Sequence, residues 1–489
     1  MRPLAYLLAA AVSAALAVSA PAQEAGPTLT LDDAIRMALQ RNKLFKAASY
    51  QPKISRANLL VARGQFDPSL QFTRSYQQSD FSTQAGFTPI EDSSKTDFYS
   101  AAVTGQLPLG TQYSLVANTQ EFRDALDGAK SFDTFGGVSI TQPLLQGFGL
   151  GYNLLNVRIA KANRASSDQA YRASAINTVT SVILDYINLE LAHDQLNASR
   201  GAQAAAASLL TENEKEYKIG SISQSDVIQA RANTSFYGES ILVAERAVRD
   251  AQNTLREVIG DDVFFEDEPL FTLAPAVVPV VVVDRHADLQ TAYKMRPDYQ
   301  EARLSITSSK ARESYYADAL LPAVNFNGSY GYEGVSGSFY TSRQQVENRQ
   351  NPSISAGLSV TIPFTFAVGR GNLRAARLTR EQAEENLRST EADIAVQVAQ
   401  AIGQIETTRK RVDADRAAYD LDKQVLAADE KMKTVGQIST FQVVNEQQQV
   451  LQGENILSNA LAAERQAVAL YDQALGTTLE RYHVTLTSD

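Results

Sequence analysis

The chain has no cysteine and no tryptophan among its 489 residues. Without cysteine there is no disulfide, no thiolate metal ligand, no thiol nucleophile and no lipidated amino-terminal cysteine. Histidine is scarce as well. His193, His286 and His483 stand apart, none beside a serine elbow or a second ligand at metal spacing, and each reads as a surface or interface residue. Long apolar runs are missing too. The longest past the amino terminus, Ala274 to Val283, is interrupted by Pro275 and Pro279 and falls short of the ~20 apolar residues a spanning helix needs. Basic residues are scattered and the net charge is −10, which excludes the cationic face a nucleic-acid partner would demand.

Little remains for chemistry. Asp32-Asp33 and Asp413/Asp415 fit helix-start and solvated-face charges, and Gly369-Arg370-Gly371 lacks the Lys-Ser/Thr that completes a phosphate loop. No catalytic residue, cofactor site or metal site is expected.

What is present begins with MRPLAYLLAAAVSAALAVSAPAQEAG: one basic residue, an apolar run from Leu4 to Val18, then small residues at Ala20 and Ala22. This order predicts a secretory signal over residues 1–22.

The remainder reads as one plan used twice. ALQRNKLFKA at Ala38 to Ala47 is answered by AYKMRPDYQEA at Ala292 to Ala302, DPSLQFTRSY by LPAVNFNGSY, SITQPLLQGFG by SVTIPFTFAVGRG, and YKIGSISQSDV by KTVGQISTFQV. Gly220 and Gly436, and again Gly260 and Gly476, are 216 residues apart. The first repeat is placed at 23–262, a Pro- and Val-rich junction at 263–283, and the second repeat at 284–489. Helices are expected at 31–64, 150–219 and 223–259, then at 285–320, 372–435 and 439–475.

The longest of these helices contain no proline and carry a seven-residue seam: Val182, Leu189, Leu196, Leu210 and Tyr217, with Gln203 in the vacant place, and Val398, Ile405, Val412, Tyr419 and Leu426. That spacing packs one narrow stripe against a neighbouring helix, as in a coiled coil.

Between the helices the period is two. Ile354, Ala356, Leu358, Val360 and Ile362 alternate with Ser353, Ser355, Gly357, Ser359 and Thr361, and Val324, Phe326, Tyr330 and Tyr332 alternate with Asn325, Asn327, Ser329 and Gly331. Strands of about ten residues with one apolar and one wet face suit a transmembrane barrel; the alternative is a sandwich with one solvated face, which the adjoining signal segment and long helices disfavour. They are placed at 322–332 and 352–363. The first repeat has strands within 66–143, including an extra hairpin at about 97–120 that either joins the sheet or folds beside it. A few strands cannot close a pore, and lipid tolerates no open edge, so several copies would complete one barrel.

The LTLDDAIRMALQRN opening at Leu29 to Asn42, the proline-ended strands at Gln142-Pro143 and Ile362-Pro363, and the two glycine turns resemble the TolC and OprM family of outer-membrane efflux proteins. The resemblance runs through both halves in order. It implies a mixed α/β membrane protein: a homotrimer with an antiparallel barrel of four strands per protomer, continuous with a long periplasmic α-helical barrel. It also implies a passive exit duct served by a periplasmic membrane-fusion adaptor and an inner-membrane transporter. By resemblance the adaptor would dock at Gly220, Ile222, Ser223, Gly436, Ile438 and Ser439, and the constriction would be lined by Ser225, Asp226, Gln442 and Asn445. The rival readings are a pore-free periplasmic coiled-coil protein, which would come free in buffer, and a secreted hydrolase, opposed by the lack of a convergent site.

Overall fold

A computed structural model describes residues 28–85, 88–124, 129–260, 272–273 and 281–486. The expected signal segment and most of the junction lie outside these residues. Strand β1 (Thr28–Leu29) pairs in parallel with β6 (Thr272–Leu273). Helix α1 (Leu31–Arg41) starts at Thr30, whose hydroxyl accepts from the Asp33 amide. The helix expected over 31–64 is broken twice. Asn42 leaves the helix, caps α2 (Lys43–Ala48) by accepting from the Phe45 amide, and donates to the carbonyl of Val258; Ser49 then precedes α3 (Tyr50–Arg63). An asparagine side chain that competes for backbone partners does this.

Four strands follow: β2 (Ser69–Ala85), β3 (Thr88–Gln106), β4 (Gln112–Asp124) and β5 (Lys130–Pro143). Next come α4 (Leu150–Asn153), α5 (Leu155–Lys218) and α6 (Gln224–Ile259). The later half starts with α7 (Arg285–Met295) and α8 (Pro297–Asp318), separated at Arg296 because the residue before a proline is pushed out of helical geometry. It continues with β7 (Ala323–Ser336), a helix α9 (Phe339–Glu347) that the sequence pattern did not announce, β8 (Pro352–Thr361), α10 (Ala367–Thr434), α11 (Thr440–Leu475) and α12 (Thr478–Arg481).

Helices α5 and α10, of 64 and 68 residues, run roughly 100 Å at 1.5 Å per residue. Each folds back on a 36-residue partner, α6 or α11. Midway along the rods lies the core: Ile183, Tyr186, Ile187 and Leu189 of α5 meet Ile35 and Leu255, and the Tyr186 hydroxyl donates to the Leu29 carbonyl at 2.9 Å. Ile394, Val398, Ile402 and Ile405 of α10 gather with Tyr471 and Leu475. The seven-residue seam holds over Val182, Leu189 and Leu196 and over Val398, Ile405 and Val412, all buried. Beyond them it rotates away. Tyr217 is exposed, and the neighbouring seven-spaced row of Ala192, Ser199, Ala206 and Asn213 is buried in its place. No helix among the described residues is long and apolar enough to cross a membrane.

The strands form one antiparallel sheet in the order β2-β3-β4-β5-β7-β8. The hairpin of β3 and β4 therefore joins the sheet, giving six strands where the resemblance implied four. Cross-strand register shows why it fits. Leu70, Val103, Leu115, Val138, Tyr330 and Ile354 lie in one row across all six strands, and the adjacent row, on the opposite face, is Ser69, Thr104, Ser114, Ser139, Ser329 and Ser355. Successive residues point to opposite faces, so the first row is one apolar face and the second one hydroxyl face. Edge strands β2 and β8 leave Phe72 and Ile354 about three-quarters exposed.

Candidate functional site

The two glycine turns lie at the far end of the rods from the sheet. After α5, Gly220 takes φ +79°, its amide donates to the Tyr217 carbonyl at 2.9 Å, and the Ser221 amide donates to the Glu216 carbonyl at 2.9 Å. After α10, Gly436 takes φ +74°, its amide bonds the Lys433 carbonyl at 2.9 Å and the Gln437 amide bonds that of Met432 at 3.0 Å. These left-handed caps satisfy carbonyls that a helix end leaves orphaned. Nothing lies within 4 Å of where a β-carbon would sit on either glycine, so the requirement is dihedral rather than steric.

The helices that leave the turns start differently. The Ser223 hydroxyl accepts from the Asp226 amide while the Asp226 carboxylate accepts from the Ser223 amide at 3.1 Å and its hydroxyl at 2.6 Å, a complete capping box. Ser439 caps α11 without a side-chain bond, and Gln442, which holds the matching place, donates to Asp429 at 3.1 Å. Ser225, Gln442 and Asn445 are exposed and Asp226 is half-buried. Ile438 packs on Leu209, Val443 and Val444, whereas Gly220, Ser223, Gly436 and Ser439 are open to solvent.

Behind the turns lies a polar layer absent from the sequence-based set. Asn213 is fully buried, and its amide donates to the Asp226 carbonyl at 3.3 Å and to the Thr440 hydroxyl at 3.2 Å, joining the two turns. Asp429 is buried, as is Lys433, whose ammonium lies 3.4 Å from Glu216 and 3.8 Å from Glu212. Further up, Asn233 donates to Gln447 at 3.2 Å and accepts from Gln448 at 3.3 Å. Spacing was the available signal, because Asn213 and Asp429 are 216 residues apart, as Gly220 and Gly436 are. Away from the tip, burial holds the His193 imidazole below its ordinary pKa.

A family model described as outer membrane efflux protein matches residues 34–261 and 289–477. The chain belongs to the outer membrane efflux protein family. Outer membrane protein TolC of Vibrio cholerae is 19% identical to this efflux protein over 346 residues, which cover 71% of this chain and 77% of that one. Among solved structures, the CmeC outer membrane channel of Campylobacter jejuni matches with a TM-score of 0.64 at 16% identity, over 97% of this chain and 94% of that one. The open-state MtrE outer membrane channel of Neisseria gonorrhoeae matches with a TM-score of 0.63 at 17% identity, over 92% and 89%. An outer membrane efflux protein has a lipid-embedded part and a periplasmic part. Among the described residues the sheet offers a continuous apolar face, and the rods with their exposed turns suit the periplasm.

Proposed function

We propose that this efflux protein is the passive exit duct of a tripartite efflux or type I secretion assembly, built as a homotrimer. The observation that carries the reading is the pair of adjacent rows across the sheet, one apolar and one of hydroxyls, which suits lipid outside and water inside. The sheet is open, with β2 and β8 running antiparallel at its two edges, so the β8 edge of one copy can pair with the β2 edge of the next. Three copies of six strands close a ring of eighteen, about half as wide again as a twelve-stranded one. Apolar side chains left on the rods, among them Leu242, Val243, Val396 and Leu421, are available to neighbouring copies. The two halves act as repeats: α6 and α11 have 36 residues each and end on the left-handed Gly260 and Gly476.

In this reading Ser225, Asp226, Gln442 and Asn445 line the periplasmic constriction, and Gly220, Ile222, Ser223, Gly436, Ile438 and Ser439 meet the adaptor. The duct makes and breaks no bond; an inner-membrane transporter supplies the energy. Cysteines placed along β2 and β8 of this cysteine-free chain test the assembly. Oxidation is expected to yield covalent trimers from detergent, and the purified trimer to conduct ions in a planar bilayer. A monomer that stays soluble in plain buffer and forms no pore would sink the reading.

A further inference from the structure

Helix α9 lies against the apolar face of the sheet. The Ser342 hydroxyl donates to Thr134 at 2.6 Å, Phe339 meets the Phe132 ring at 6.2 Å, and Gly136 and Gly334 make room, since a β-carbon on Gly334 would overlap the Ser342 carbonyl. Thr134, Gly136 and Gly334 all belong to the register set that includes Val138 and Tyr330. Between α9 and the strands runs a groove of about 520 Å³ with a floor of Phe72, Ala101 and Ala117, and with Phe339, Arg74 and Arg343 on its walls.

The charges at this end of the face are ordered. Arg74 lies 3.5 Å from Asp97 and 5.3 Å from the Tyr99 ring centroid, and Arg343 lies 3.2 Å from Glu347. Four residues further along the strands, Lys95, Arg123 and Lys130 stand side by side in one row, roughly 13 Å away at 3.3 Å per residue. Glu121 bonds two of them, Arg123 at 2.6 Å and Lys130 at 3.5 Å. The described side chains on this face of this end thus set five cations against the four carboxylates of Asp80, Asp97, Glu121 and Glu347 in a chain whose net charge is −10. Strand β7 runs away from the periplasmic rods, so this end lies at the outer leaflet. Below it the apolar band from Val324 to Tyr332 matches the ~25 Å of a barrel's lipid belt.

We propose that the α9 groove binds a phosphate-bearing, multiply acylated glycolipid of the outer leaflet. One acyl chain lies on Phe72, Ala101 and Ala117, and Arg74 and Arg343 hold a headgroup phosphate, with the Lys95–Arg123–Lys130 row facing the rest of the head. Arginine forks match phosphate oxygens, and a lipid at this depth supplies the anion and the chain together. The site rests on the barrel reading above, which puts this face in lipid.

The test is native mass spectrometry of the full-length protein titrated with diphosphoryl lipid A, its dephosphorylated form and inorganic phosphate, with single-channel recording in parallel. Wild type is expected to retain lipid A through detergent exchange and to lose at least tenfold affinity when both phosphates are removed or in Arg74→Gln/Arg343→Gln. Inorganic phosphate alone should not be retained. Ala117→Phe, which fills the groove without altering charge, should weaken retention as well. Equal lipid A retention by wild type and both variants, all conducting normally, would overturn the site and leave the barrel reading standing. Failure of wild type to insert and conduct would overturn both.

Discussion

Lys433 of α10 reaches Glu216 of α5 at 3.4 Å, with only 6% of the lysine side chain exposed. With Glu212 at 3.8 Å from the same ammonium, this buried lysine ties the two halves of the chain together beside the turns. Replacing Lys433 with Met should keep the fold, because its stem is already packed, yet free the two turns from each other. Replacing Glu216 and Glu212 together with Gln leaves the lysine without an anion. Because the glutamates are partly exposed, the loss is about 1–2 kcal/mol of local stability. Faster amide exchange in the last turns of α5 and α10, with longer open times in a bilayer, is the expected result. Unchanged exchange in the double variant would remove the contact from any role at the tip.

The glycines should separate by environment. At Gly220 and Gly436 alanine meets no atom, so it adds only the left-handed backbone penalty of about 1–2 kcal/mol. At Gly260 its β-carbon would stand 2.6 Å from the Arg41 carbonyl. Gly260→Ala should therefore lower the melting temperature more than Gly220→Ala, as thermal unfolding in detergent would reveal. Equal shifts would contradict this account.

Removing Thr88–Asp124 should convert the six-stranded sheet into a four-stranded one. The distal ends of β2 and β5 then meet, Leu70 comes beside Val138, and both faces keep their character. Electron cryomicroscopy should find the barrel diameter reduced by about a third. An unchanged diameter would show that β3 and β4 do not belong to the ring.

Acid should act through Asp185 of α5. Burial, and then the like charge of Glu257, push its carboxyl up to about 6 from an ordinary value of 3.8. The folded chain holds this proton more tightly than the unfolded one. The contribution to stability is full below about pH 4 and is lost as pH rises through 6. Asp185→Asn should be more stable than wild type at pH 7 and equal to it below pH 4, as melting temperatures across that range would show. A constant difference at every pH would assign the effect to packing.

Sequence alone determined the rods, the turns and the two-faced strands, because each depends on residues close together in the chain. Helix-forming residues without proline, a glycine that accepts positive φ, and polarity alternating every second residue act locally. The equal spacing of 216 residues between Gly220 and Gly436 and between Gly260 and Gly476 was also legible in the sequence.

Only the tertiary structure decided which strands share a sheet, where the seam turns away and what lies behind the tip. Leu70 and Ile354 fall in one row because four strands stand between them. Tyr217 leaves the seam because the row that stays covered towards the turn is Ala192, Ser199, Ala206 and Asn213, on a neighbouring line of the same helix. Lys433, Asp429 and Asn213 read as surface polar residues in sequence and are buried because helices hundreds of residues apart close over them. Helix α9 has nine residues, too few for a periodic signal, and its seat is made by glycines on two other strands.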